Sequence, residues 1–148
     1  MVNMISSAEA KEKAAAGWFD VWVAFEGLAV NKEAVKSALE GLMSHLEADH
    51  KIKVYAKEFL EPEKVENPIK GISEAWSLVV NVNFVSKSFH DLVQVIIEYG
   101  PSAVEILGPS KKEMQINEAQ DVLNNIAGMM HRYAAAGLGG MVLVRGKE

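Results

Sequence analysis

An α+β fold is predicted for this chain by three features of its sequence. Two segments, WFDVWVAFE at 18–26 and WSLVVNVNF at 76–84, alternate apolar and polar residues with the period of two that a half-buried strand requires. Two others repeat apolar residues at helical spacing: Val35, Ala38, Leu39, Leu42 and Leu46, then Leu92, Val93, Ile96 and Tyr99. Each helical segment lies between two strand-like ones, so the chain reads as two βαβ halves.

The opening stretch, MVNMISSAEAKEKAAAG, has no basic head followed by a sustained apolar run, so it reads as a short helix and not as a secretory signal. In the first strand Phe19, Val21, Val23 and Phe25 share one face, with Trp18, Asp20, Trp22 and Glu26 on the other. Asn31 caps the first long helix. After a turn at Asp49-His50, Ile52, Val54 and Ala56 alternate with Lys51, Lys53, Tyr55 and Lys57, a second strand with a basic outer face.

Residues 60–75, LEPEKVENPIKGISEA, hold two prolines and a glycine and read as a long connection, either functional or packed down as an omega-like loop. The third strand turns Trp76, Leu78, Val80, Val82 and Phe84 inward and Ser77, Val79, Asn81 and Asn83 outward. Ser88 with Asp91 resembles a capping box, and Gly100-Pro101 ends the helix it opens. Residues 103–107 form a fourth strand ending at Gly108-Pro109. Asn117 with Gln120 caps a last helix carrying Val122, Leu123, Ile126, Met130, Tyr133 and Ala134, and residues 141–144 form a final short strand. The order βαββαβ, plus a C-terminal helix and strand, predicts a ferredoxin-like antiparallel sheet with two helices on one face. One domain is expected over 1–148, with 1–16 as an N-terminal helical extension and 117–148 as a C-terminal one.

At 148 residues, 49% hydrophobic and 24% charged, the chain is long enough to bury a core without disulfides. A net charge of -5 opposes nucleic-acid binding, which is driven by counterion release around Lys and Arg. Zero cysteines exclude disulfides, thiol nucleophiles, iron–sulfur clusters and cysteine zinc sites. The longest apolar run, AAAGLGGMVLV at 134–144, is too short for a hydrocarbon core that needs about 20 residues, so no membrane partner and a cytoplasmic location are expected. Its GLGG follows a helix and precedes a strand, the reverse of a phosphate loop, and reads as a helix end. The small residues before it and MVLV after it are expected at a subunit contact or in the packing beneath one.

The lysines at 51, 53 and 57 with Tyr55 suit an edge strand protected against pairing. An RNA platform would need stacking aromatics, which Ser77, Val79, Asn81 and Asn83 do not supply. His45, His50, His90 and His131 lie in separate elements without an i, i+4 partner, so no metal site is expected. The outer face of the first strand is more informative. Trp18 and Trp22 flank Asp20 there, and apolar groups of that size call for a cover: a helix or another subunit. A crevice left on that face would be lined by Asp20, Trp22, Glu26, Asn81 and Asn83. His131, Arg132 and Tyr133, in one turn of the last helix, form a second candidate, for an anion or as a general acid; His and Arg at a helix end also complement its dipole.

Over 89–133, YGPSAVEILGP followed by a helix ending in HRY resembles the C-terminal module of WYL-type transcription regulators, in which a short helix ends at glycine, a strand runs to proline and a helix ends near an aromatic. The resemblance implies a regulatory role, without the winged helix that would bind DNA. The whole chain is similar to uncharacterised small archaeal α+β proteins, a likeness that implies no activity. The expected function is a non-catalytic, homo-oligomeric ligand-binding or regulatory module that needs no cofactor and is open to a small-molecule ligand. The alternatives are a small-molecule enzyme with its site around His131, Arg132 and Tyr133, and a protein-interaction subunit.

Overall fold

The computed structural model describes residues 4–136. The chain divides into two compact units, Met1–Lys112 and Glu113–Glu148. The described residues hold a five-stranded antiparallel sheet and four helices, an α+β architecture. The expected strand at 141–144 and the glycines before it lie outside them.

In the first unit α1 (Ser7–Ala15) opens on a capping box. The Ser6 hydroxyl accepts from the Glu9 N–H at 3.1 Å while the Glu9 carboxylate accepts from the Ser6 N–H at 2.9 Å, so two of the helix's orphan donors are satisfied. The elements that follow are β1 (Phe19–Ala29), α2 (Lys32–Ala48), β2 (Ile52–Phe59), β3 (Glu63–Ile69), β4 (Ile72–Ser86), α3 (Phe89–Tyr99) and β5 (Ala103–Gly108). The strand order is β2-β4-β1-β5, with β3 also paired to β4. Strand β4 is long enough to take β3 along residues 72–77 and β2 along 80–86 on the same side, and β1 on the other.

Most of the 60–75 segment is therefore not a loop: only residues 60–62 and the hairpin turn connect strands. It holds β3 and the start of β4, joined by a tight hairpin at Lys70-Gly71 whose Gly71 sits at φ +87, where a Cβ would be strained. Pro68 concealed the strand, because a proline inside a ladder removes a donor. Here the ladder register shifts between Glu66 and Ile69, so Asn67, at φ 49, and Pro68 fall in an irregularity that tolerates the missing N–H.

Strand β2 also departs from strict alternation. Its pairing with β4 passes from Val54↔Phe84 to Ala56↔Asn83, which leaves Tyr55 as a bulge. The side-chain alternation inverts beyond it. Lys57, expected on the outer face, pairs with Val82 on the core side, where its ammonium meets Glu47 of α2, and Ala56, expected inside, joins Asn83 on the far side.

The core lies between the sheet and α2 and α3. Phe19, Val21, Val23 and Phe25 of β1 and Leu78, Val80, Val82 and Phe84 of β4 meet Val35, Leu39, Met43 and Leu46 of α2 with Leu92 and Val95 of α3. Burying each such side chain stabilises by about 1.5–3 kcal/mol. Gly27 lets β1 lie close against α2: a Cβ there would come within 3.1 Å of the Val35 methyl. The Ser88 cap and the left-handed Gly100, at φ 60 and ψ 54, bound α3 where the sequence placed them.

In the second unit α4 spans Ile116–Ala135 and begins after Gln115, which makes no side-chain cap bond. Asn117, expected as the cap, lies within the first turn instead, since the backbone turns helical two residues earlier. Among the described residues no helix is long and apolar enough to cross a membrane.

Candidate functional site

Cross-strand register gathers the residues expected on the outer face of the sheet. Trp22 lies opposite Asn83, Ala24 opposite Asn81 and Glu26 opposite Val79, so Asp20, Trp22, Glu26, Asn81 and Asn83 share the face turned away from α2 and α3. Tyr55, outward on β2 as its alternation predicts, joins this set, although sequence reasoning read it only as part of a basic strip. Its hydroxyl donates to Asp20 Oδ1 at 2.6 Å. Burial, then the bond to Asp20 and its charge, push the Tyr55 phenol up to about 12, against a smaller opposite effect of a hydrogen bond with Asn83. Tyr55 is therefore a neutral donor at physiological pH. Glu26 accepts from the Ser77 hydroxyl at 2.9 Å. Asp20, Tyr55 and Asn83 are thus engaged with one another, and Glu26 with Ser77, which fixes their side chains on this face.

Helix α1 packs against β1, β2 and β4. Val85 belongs to the far face by its register with Asp20 and is fully buried. Trp18 is held by the end of α1: the Lys13 ammonium lies 4.5 Å from its ring centroid, and the Trp18 N–H donates to the Lys13 carbonyl at 3.0 Å.

A second polar cluster joins the α2–β2 turn to the end of α3. Asp49 accepts from the Tyr99 hydroxyl at 2.8 Å and from the Lys51 N–H at 2.9 Å, and the Lys51 ammonium reaches Asp49 at 3.1 Å and Glu98 at 3.6 Å. Burial pushes the Asp49 carboxyl up, but these bonds together outweigh it and leave it below its ordinary value. Burial and the Asp49 bond both raise the Tyr99 phenol. The cluster is a latch between elements, with every member already partnered.

A cleft lies elsewhere in the first unit. It has a volume of about 500 Å³ and opens between the start of α2, which supplies Lys32, Glu33 and Lys36, and the segment joining β2 to β3. Phe59, Leu60 and Pro62 with Leu78 of β4 form its apolar part, and Glu61 adds a carboxylate. Leu78 is fully buried and Phe59 half-buried against the core, so this floor is held by the same packing that holds the sheet. The Leu60 N–H, bonded to the Val79 carbonyl at 2.9 Å, pins the far wall. The Lys32 ammonium lies 4.7 Å from the Trp76 ring centroid. Sequence reasoning missed this cleft, since its walls come from segments far apart in the chain that only the fold brings together.

His131, Arg132 and Tyr133 lie on α4 in the second unit and are exposed. Consecutive helical residues are turned about 100° apart, so the three do not converge on one point. Arg132 instead reaches back to the Met129 sulfur at 2.7 Å. Among the described residues no group of three or more His, Asp or Glu side chains is placed to hold a metal ion.

Fold and cleft together define a small α+β protein with a five-stranded antiparallel sheet and a groove beside its first long helix. The chain belongs to the MJ0538 family, which matches residues 20–136. The match runs from β1 to the end of α4 and so includes every wall of the cleft. No curated protein and no solved structure matches the chain.

Proposed function

We propose that this protein is a non-catalytic ligand-binding module built on a ferredoxin-like frame. Support for the frame is the path β1-α2-β2 and β4-α3-β5 with β4 and β1 central, to which β3 is an addition on β4. The cleft beside α2 carries the functional reading. Its volume of about 500 Å³ falls within the range of about 300–1,000 Å³ usual for small-molecule sites, and it combines an apolar floor with a few charged groups.

Binding is favoured over catalysis by the state of the polar pairs. Tyr55 with Asp20 and Tyr99 with Asp49 are phenol–carboxylate pairs whose hydroxyls are already spent on hydrogen bonds that join elements of the fold. The enzyme alternative needs His131, Arg132 and Tyr133 to act together, against their divergence around α4. A regulatory role in the manner of WYL-type regulators would use the ligand's occupancy as its signal and rests on the local likeness of residues 89–133.

Assembly with a second copy is part of the proposal. Support for it is β5, whose Val104, Ile106 and Leu107 are nearly half exposed. Native mass spectrometry of gently purified protein tests both claims: the expected result is more than one copy, with a small molecule retained. A ligand-free protein that no small molecule stabilises against heat would overturn the binding reading.

A further inference from the structure

The charges around the cleft narrow the class of ligand. Lysines 32 and 36 lie one helical turn apart on α2 and so share a side of it, and Glu61 lies on the separate wall between β2 and β3. With Glu33 the lining carries two cations and two carboxylates. Two of these have local roles. Glu33 sits in the first turn of α2, where an acidic group complements the helix dipole, and the Lys32 ammonium lies over Trp76. Lys36 and Glu61 remain, and neither makes an ion pair or hydrogen bond among the described residues.

We infer that the cleft takes a small zwitterion with an apolar side group, the chemistry of an apolar α-amino acid, with its carboxylate toward Lys36 and its ammonium toward Glu61. The inference rests on the reading of this cleft as the ligand site. A simple anion would gain at Lys36 but meet the two carboxylates of the lining. A neutral apolar molecule would cover the floor and displace water from both charges without replacing its hydrogen bonds. A zwitterion meets both, because its ammonium and carboxylate, carried on one carbon, can turn to Glu61 and Lys36 respectively while its side group lies along Phe59, Leu60 and Pro62.

The test is a titration of the isotopically labelled full chain, followed through its backbone amides by NMR. The probes are leucine and phenylalanine, their decarboxylated amines and their deaminated acids. At least one amino acid is expected to shift the amides of Lys36, Leu60 and Glu61 saturably, with both of its singly charged counterparts about tenfold weaker or more. Lys36→Gln and Glu61→Gln, both on exposed side chains, are each expected to weaken that binding by about tenfold. A counterpart that binds as well as its amino acid, or binding indifferent to both substitutions, would overturn the zwitterion while leaving the cleft as a site. Silence of these amides toward every probe would overturn the cleft reading as well.

Discussion

Tyr55 and Asp20, thirty-five positions apart in the chain, are joined by a 2.6 Å hydrogen bond that spans β4 from the bulge in β2 to β1. The bulged residue crosses Asn83 of β4 to reach β1. The bond ties an outer strand of the sheet to a central one on the face away from α2 and α3. Tyr55→Phe is expected to destabilise the fold by about 1–2 kcal/mol, the scale of a hydrogen bond to a charged acceptor in a partly buried place.

The same bond has a pH signature. The folded phenol is raised from 10.0 to about 12, so its contribution is complete below pH 10.0 and is lost as pH rises through about 12. Urea unfolding of the wild type and of Tyr55→Phe across that window is expected to show the two stabilities converging as pH rises. A gap that stays constant would mean that the phenol's proton is not what Asp20 holds.

Asp49 gives the opposite limb. Its carboxyl is held below 3.8 despite burial, so its contribution is complete above that value and disappears as pH falls through the folded one. Lys51, lowered by burial but raised more by Asp49 and Glu98, ends above 10.5, so its share is present below 10.5 and lost at higher pH. Asp49→Asn is expected to cost about 1–3 kcal/mol at neutral pH, since it leaves Tyr99 without its charged acceptor and the Lys51 ammonium with Glu98 alone. Its acid limb in denaturant titrations should be flatter than that of the wild type.

What the sequence made legible and what it concealed divide along a physical line. Features set by neighbours in the chain could be read directly: the Ser88 cap, the left-handed Gly100, and the alternation that buries Val21, Val23 and Phe25. Features set by a partner strand could not. The Tyr55 bulge depends on how β2 meets β4, and it moved Lys57 inward to Glu47 and Ala56 outward beside Asn83. Pro68 hid β3 because its irregularity appears only once β4 lies beside it. The outer-face set of Asp20, Trp22, Glu26, Asn81 and Asn83 was legible because a period of two assigns faces without knowledge of partners. The cleft was not, since Lys36, Glu61 and Leu78 belong to separate elements.

Two glycines should respond to alanine with opposite signs. Gly41 lies inside α2 with nothing within 4 Å of the position a Cβ would take, so Gly41→Ala adds helix propensity without a clash. A gain of about 0.5–1 kcal/mol is expected. Gly100 also faces open space but closes α3 at φ +60, so Gly100→Ala is expected to cost about 1 kcal/mol through backbone strain alone. Thermal unfolding of the two single variants and their double should show the effects adding, because the sites share no partner.

The last prediction concerns the sheet edge at β5. Among the described residues β5 pairs with β1 alone. Its sequence AVEILG carries one charge, whereas the opposite side of the sheet is supplied with Lys53 and Lys57 in β2 and Lys64 in β3. An apolar edge without lysine or proline invites another strand. An antiparallel second copy of β5 would pair with the edge that no described strand occupies and shield Val104, Ile106 and Leu107, which are 44%, 45% and 49% exposed. Ile106→Lys places a charge in the middle of that contact. It is expected to weaken assembly by about tenfold or more, equivalent to about 1.4 kcal/mol, while leaving the circular dichroism of the folded chain unchanged. Light scattering across a dilution series measures this directly. An unchanged particle mass for a folded Ile106→Lys protein would remove β5 from the interface, and a monomeric wild type would end the assembly proposal altogether.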